Sequence, residues 1–336
     1  MPAESTLTQT TPGRQPPPPP TDGPLVTVVI CVYNAGRFLR PAVLSVLAQT
    51  YRNLEIIIVD DGSTDGCMQT IADIDDPRIR RLSQPNRGKP AALNRALEEM
   101  RGDFLVLNDA DDISHPRRIE RLVAAMLAEP ELGAVFSGYD LLIDEQRVAP
   151  RLRARDPRQC RADIAAYRMP SHDPTAMFRA AAIRELRYAD LKLGEGLDFI
   201  LRVGERWPMR VIGECLYSYR VHPDSLTAVA EDQKLEFARL VINRARSRRG
   251  LPPVDQPPDA RLHRRTRRQT LVAHFMESVL DLRAAGRRGE ALRTAWQCLR
   301  LGPLSPYYYR PLVYCLVPRW LVAAYRGLKR RMRREE

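Results

Sequence analysis

The chain has 336 residues, room for one large domain or two modest ones, and its 44% hydrophobic and 28% charged composition excludes a wholly disordered or fibrous protein. Its formal net charge is +12, but 18 of the 53 basic and only 5 of the 41 acidic residues lie from Arg261 onward, so the body is near neutral and the C-terminal segment carries the basicity. No stretch reaches the roughly 20 apolar residues that span a bilayer, the N-terminus has no apolar leader core, and the six cysteines form no Cys-x-x-Cys pair, so the expectation is a cytoplasmic protein with reduced thiols.

Residues 1–24 read as a disordered Pro-rich tail, with five consecutive prolines over 16–20. The apolar run 25–33 predicts a strand, and Phe38, Leu39, Val43, Val46 and Leu47 recur at helical spacing over 37–48. A strand at 54–60, a helix near 67–74 and a short strand at 79–82 follow. Then come the loop Asn86-Arg87-Gly88-Lys89 and a helix over 90–100. The strand 103–107 leads through Asn108-Asp109-Ala110-Asp111-Asp112 to a helix over 116–127, and 133–137 reads as a further strand. This alternation predicts an α/β fold, a Rossmann-like, mostly parallel sheet with helices on both faces. Residues 140–170 are Arg-rich without a clear period and read as a surface excursion near an acceptor. Helical patterns return at 180–186 and 197–205, and a strand-like pair at 209–212 and 216–221. The Pro-rich stretch 251–259 reads as a linker to a basic helical segment, 260–336. There Trp320, Leu321, Ala324, Tyr325, Leu328 and Met332 recur at helical spacing among Arg and Lys, a pattern suited to an anionic membrane surface.

Three apolar strands end in polar clusters: Tyr33-Asn34, then Asp60-Asp61-Gly62-Ser63, then Asn108 to Asp112. Ligands of open α/β sheets gather at the carboxyl ends of strands, so the three clusters point to one crevice. In extended chain Asp109 and Asp111 face the same side, and their repulsion calls for a cation. Oxygen ligands suit Mg²⁺ or Mn²⁺, which serve phosphate-bearing ligands. Asp60 and Asp61 suit acceptance from a nucleobase imide or a ribose hydroxyl, Tyr33 a base to stack on, and Arg87 and Lys89 a phosphate.

Val28-Val29-Ile30-Cys31-Val32-Tyr33-Asn34, Gln49-Thr50-Tyr51, Val59-Asp60-Asp61-Gly62-Ser63-Thr64-Asp65-Gly66, Asn86-Arg87-Gly88, Asp109-Ala110-Asp111-Asp112 and Tyr217-Ser218-Tyr219-Arg220-Val221-His222 stand in order along the chain. Over about 25–226 this set resembles the family 2 glycosyltransferases. The resemblance implies a glycosyltransferase-A catalytic domain over 25–250, with a nucleotide-sugar half at 25–139 and an acceptor half at 140–250. It implies Mg²⁺ or Mn²⁺ and transfer with inversion from a nucleotide-sugar donor, a UDP-sugar by family habit, to a saccharide or lipid-linked acceptor in cell-envelope or exopolysaccharide synthesis. Asp111 is then the metal ligand, with Asp109 at the ribose or the metal and His222 near the diphosphate or metal. Cys31, Tyr33, Asn34, Asp60 and Asp61 hold the nucleoside.

Inversion needs a base for the acceptor hydroxyl. The family supplies it from a Glu-Asp pair ahead of a helix ending in Leu-Arg. Here Gly194-Glu195-Gly196-Leu197-Asp198-Phe199-Ile200-Leu201-Arg202 puts Gly196 at the usual Asp position, leaving Glu195 or Asp198. His172-Asp173, ahead of Ala176-Met177-Phe178-Arg179, reads as an acceptor contact. The rival readings are a metal-dependent sugar nucleotidyltransferase, which releases pyrophosphate, and a catalytically impaired nucleotide-sugar or nucleic-acid binder. No nucleic-acid motif is visible, and no nucleic-acid partner is expected. Partners reduce to the donor, the acceptor and, through the basic tail, the inner face of the plasma membrane.

Overall fold

The computed structural model describes residues 23–222, 231–258 and 266–318. Strands β1 (Val26–Val32), β2 (Leu54–Asp60), β3 (Ile79–Ser83) and β4 (Phe104–Leu107) pair in parallel in the order β3-β2-β1-β4. β1, β2 and β4 are almost wholly buried, which is why they read as unbroken apolar runs: both faces of a parallel sheet are covered. Val29, Ile57, Val59, Leu105 and Leu107 belong to one core, and their alternates Val28, Ile30, Ile56, Ile58 and Val106 to another. Each such side chain taken from water contributes about 1.5–3 kcal/mol before entropy is counted.

Helices α1 (Leu39–Leu47), α2 (Lys89–Glu99) and α3 (Arg118–Ala128) fill the crossovers. A two-residue strand β5 (Ile113–Ser114) precedes α3. The predicted helix near 67–74 is only a single 3-10 turn, Cys67–Ile71. The sheet continues through β8 (Ala176–Arg179), β6 (Ala134–Ile143) and β9 (Met209–Arg220) to β5. β8 runs antiparallel to β4 and β6, and β5 antiparallel to β9, so the parallel half gives way to a mixed one.

The strand-like pair predicted at 209–221 is one strand. Its pattern is broken because register shifts opposite Phe136, Gly138 and Tyr139 bulge β9 between Val211 and Tyr217. Residues 140–170 are not a surface excursion. They finish β6, form the antiparallel hairpin partner β7 (Gln146–Arg151) and enter α4 (Pro157–Ala165), which Asp156 opens with a capping box.

Helix α5 (Ala180–Ile183) follows β8, and α6 (Glu195–Gly204) packs against α7 (Glu231–Arg248). The Pro-rich stretch is pinned to α7, where Val254 exchanges hydrogen bonds with the Asn243 amide (2.8 and 3.0 Å). Helices α8 (Arg267–Ala284), α9 (Arg288–Arg300) and α10 (Arg310–Leu316) close the described chain. His274 Nε2 lies 2.8 Å from the Ala149 carbonyl, the Ser278 hydroxyl donates to the Pro150 carbonyl (2.7 Å), and Asp281 accepts from Arg151 Nε (3.0 Å). The tail pattern read over 319–334 and the leader 1–22 lie outside the described residues. Among the described residues no helix is long and apolar enough to cross a membrane.

Glu55, inside β2, is 3% exposed and accepts from the Thr27 hydroxyl (2.5 Å), the Arg101 backbone N–H (2.6 Å) and Arg101 Nε (2.9 Å). Burial pushes its pKa up, but these donors outweigh burial and hold it below the usual glutamate range. The stabilisation is therefore complete above the unfolded pKa and fades as pH falls through the lower folded one. Glu55→Gln is expected to cost about 1–3 kcal/mol at pH 7. The gap from the parent narrows below pH 4, as thermal melts across pH will read.

Candidate active site

The strand-end loops are built by their own carboxylates and amides. Asn34, in the left-handed region (φ 50°), accepts from the Thr64 N–H through its side chain (2.8 Å), while its own N–H donates to Ser63 Oγ (3.1 Å). The β1 and β2 clusters are thereby tied together. Asp60 Oδ1 accepts from the Ser63 N–H (2.9 Å). Asp61 is 3% exposed and accepts from Gln84 Nε2 (2.7 Å) and from the backbone N–H groups of Arg87 (2.9 Å) and Gly88 (2.8 Å). The carboxylate expected at a nucleoside is thus spent on ordering the 84–88 loop, and of the pair only Asp60 is left partly exposed. Tyr33 stands 53% exposed at the end of β1, an open ring face. The Arg87 side chain is likewise exposed.

The acidic cluster divides by partner. Asp109 Oδ1 accepts from Lys89 Nζ (2.8 Å), at the start of α2. Asp111 Oδ2 lies 2.8 Å from His222 Nε2, just beyond β9. Asp112 is fully buried and accepts from the Arg220 N–H (2.8 Å), while Arg220 Nε donates to the Asp111 carbonyl (2.8 Å). Burial and the neighbouring Asp111 and Asp109 push the Asp112 carboxyl well above the usual range. Burial acts against Lys89 and Asp109 alike, but their mutual attraction prevails: it holds Asp109 low, and Asp109, Glu195 and Asp173 together hold Lys89 well above the usual lysine range. Cys31 sits beside this group, and burial pushes its thiol up to about 12, so it meets a ligand as a neutral thiol.

Glu195 opens α6 and faces Lys89 together with Asp173, from the 3-10 turn Asp173–Thr175. Asp198 does not share that crevice. It is 0% exposed, with Arg202 Nε at 2.9 Å and Arg248 Nη1 at 3.1 Å, so it fastens α6 to α7. This corrects the expectation that Asp198 is available to a substrate: a fully enclosed carboxylate among the guanidiniums of Arg202, Arg244 and Arg248 has no path to an acceptor hydroxyl. Burial lowers His172 to about 4, so it is a neutral imidazole, packed on Tyr139 (ring centroids 5.0 Å apart) and Tyr219 (4.9 Å). Beside it opens a cavity of about 370 Å³ lined by Tyr139, Arg151, Arg153, Arg155, His172 and Leu197.

The family model for glycosyl transferase family 2 matches residues 27–186. The Bacillus subtilis protein EpsE, itself assigned as a glycosyltransferase, is 33% identical over 235 residues, 67% of this chain and 83% of its own. The chain belongs to glycosyl transferase family 2. A Rickettsia typhi glycosyltransferase is 37% identical over 66% of this chain and 71% of its own. Among solved structures, S. aureus TarS 1–349 in complex with UDP-GlcNAc superposes with a TM-score of 0.56 at 16% identity, over 84% of this chain and 89% of that one. The Pyrobaculum calidifontis mannosyltransferase PcManGT, in complex with GDP-Man and Mn²⁺, gives 0.51 at 21% identity, over 88% and 86%. These two likenesses establish a shared glycosyltransferase fold.

Among the described residues of this glycosyltransferase, no three His, Cys, Asp or Glu side chains form a closed metal cage. Asp111 and His222 nevertheless converge, one carboxylate and one imidazole, with side chains 27% and 15% exposed. Two protein donors on an accessible rim fit a dication that completes its shell with water and phosphate oxygens. Asp109, expected beside Asp111 on the metal, is instead claimed by the Lys89 ammonium, which offsets its charge without a metal.

Sequence reasoning missed Arg118, a fully buried guanidinium and among the largest enclosed side chains of the described residues. Its guanidinium donates to Ser114 Oγ (2.9 Å) and to the Leu107 (3.1 Å) and Pro174 carbonyls, and lies 4.6 Å from the Tyr217 ring centroid. The Tyr217 hydroxyl accepts from the Asp109 N–H (3.1 Å). The available signal was its place four residues before Leu122 and eight before Met126, on the apolar stripe of α3.

Proposed function

We propose that this glycosyltransferase moves a sugar with inversion from a nucleotide-sugar donor to a hydroxyl of a saccharide or lipid-linked acceptor, with Mg²⁺ or Mn²⁺ at Asp111 and His222. The observation that carries the reading is the Asp111–His222 pair (2.8 Å) at the strand ends, beside the Tyr33 face and the Asp60 loop. TarS with UDP-GlcNAc and PcManGT with GDP-Man and Mn²⁺, on the same fold, support a donor of that class. When bound, the dication supplies a Lewis acid that offsets charge on the departing diphosphate. The chain's own groups do the rest. Tyr33 offers a stacking face for the nucleobase, and Asp61 holds the 84–88 loop so that Arg87 flanks the phosphates. Lys89, with its charge balanced by Asp109, Glu195 and Asp173, adds a fixed cation beside the sugar. The cavity next to His172 suits the acceptor, since Leu197 of α6 and His172, the residue before Asp173, both line it.

Ligands that bind only the folded state raise the melting temperature by mass action. Saturation at 100 Kd contributes about 2.7 kcal/mol, so one class among UDP- and GDP-sugars is expected to raise Tm by several degrees with Mn²⁺. EDTA should abolish most of that shift. A panel in which no nucleotide sugar moves Tm, with or without Mn²⁺, overturns the donor assignment. Release of pyrophosphate in place of nucleoside diphosphate would favour the nucleotidyltransferase.

A further inference from the structure

Gly196 is buried in the first turn of α6, where a residue with a side chain would be the better helix former by about 1 kcal/mol. The reason for glycine is steric. A Cβ at position 196 would lie 2.1 Å from Asp173 Oδ2 and 2.6 Å from Asp173 Cγ, so the Asp173 carboxylate occupies the space that a side chain on α6 would fill. The two positions are complementary: the helix gives up its side chain and the loop supplies a carboxylate to the same place. Family 2 enzymes were expected to carry an Asp at this helix position, and here the acid arrives from the other wall.

We propose that Asp173, delivered from the loop before β8, is the general base of this glycosyltransferase and that Gly196 exists to admit it. The inference rests on the glycosyl-transfer reading above and adds the residue that accepts the proton. Three further observations agree with it. Asp173 Oδ1 is shut from solvent and has no hydrogen-bond partner among the described residues, the state of a group kept for an incoming donor. The Pro174 carbonyl is bonded to the buried Arg118, which also holds the Leu107 carbonyl at the end of β4, so the base loop and the Asp-x-Asp strand are fixed to one guanidinium. Burial, partly opposed by Lys89, pushes the Asp173 carboxyl up to about 7, near neutrality, where a general base transfers protons well.

The step balances as follows. The acceptor oxygen forms its bond to the anomeric carbon with a lone pair, and its proton passes to an Asp173 carboxylate oxygen. The bond from that carbon to the donor phosphate oxygen breaks, and its electron pair leaves with the nucleoside diphosphate. In slow donor hydrolysis water takes the acceptor's place and the proton follows the same route.

The full chain is tested with UDP-GlcNAc and GDP-mannose plus Mn²⁺, reading released UDP or GDP and, separately, the donor-induced Tm shift. Asp173→Asn is expected to lower hydrolysis about 10²–10⁴-fold while the Tm shift persists. The double variant Asp173→Ala/Gly196→Asp, which returns a carboxylate from the helix side, should run at least about tenfold faster than Asp173→Ala. Parent hydrolysis should rise as pH increases through about 7 and then level. Hydrolysis by Asp173→Asn within threefold of the parent, with the Tm shift intact, overturns the base while leaving the donor reading in place. So does a collapse confined to Glu195→Gln. If neither donor shifts or is cleaved by the parent, the donor reading fails and the base assignment falls with it. Should Asp173→Asn not fold, the comparison of the double variant with Asp173→Ala decides.

Discussion

Asp111→Ala is expected to lower Mn²⁺-dependent turnover by about 10²–10³-fold, the scale set by removing one preorganised group that stabilises developing charge. The fold should survive, since the Asp111 side chain is 27% exposed and its named partner is the His222 ring. The backbone of this turn is held independently, with the Asp111 carbonyl accepting from Arg220 Nε and the Asp112 side chain from the Arg220 N–H. The diagnostic measurement is a Mn²⁺ titration. The variant should need far more metal for half-maximal rate, while metal-free nucleotide binding changes little. His222→Ala should shift the same curve in the same direction by a smaller factor, because an imidazole ligand, unlike a carboxylate, brings no negative charge to the dication. Parent-like metal dependence in Asp111→Ala would remove the metal from this rim and leave Lys89 as the principal counter-charge for the diphosphate.

Arg118→Met is expected to produce the largest loss of stability, about 3–5 kcal/mol. Methionine fills much of the volume but donates nothing, so the Leu107 and Pro174 carbonyls and Ser114 Oγ lose a buried donor together. The Arg118 pKa is lowered to about 10, chiefly by burial, so the guanidinium stays charged at neutral pH and its network is lost outright on substitution. A fall in Tm of several degrees should appear in calorimetry. At temperatures where the variant is folded, hydrolysis should still be depressed, because the Pro174 carbonyl fixes the turn that presents Asp173. A drop in Tm of less than a degree would show that water replaces the guanidinium at those carbonyls.

What the sequence made legible follows the physics of parallel strands. β1, β2 and β4 are covered on both faces, so their residues are continuously apolar and their polar ends stand out. That was enough to find the crevice; the pairing of Asp111 with His222 at a metal and the departure at Gly196 came from the family resemblance, and the fold brings those two side chains to 2.8 Å across 111 positions of sequence. Partner choice inside the cluster was not legible. Asp109 and Asp111 are equivalent by spacing, and only the fold shows that one meets Lys89 and the other His222. Asp198 was misjudged and the fit of Asp173 against Gly196 was not foreseen for a related reason, since position in the sequence says nothing about what packs against a residue. The arginines of α7 enclose the first, and a missing side chain on α6 makes room for the second. β7 was missed because an edge strand with Arg147, Pro150 and Arg151 lacks the apolar run that marks its neighbours.

An outer strand with open amides and carbonyls is a template on which another copy of the chain can grow. In this transferase the outer rim of β7 is stapled by α8, through His274, Ser278 and Asp281. Helix α8 therefore shields that edge, with α9 and α10 packed behind it among the described residues. Truncations that end near residue 258 should precipitate, and lost activity in them would report insolubility.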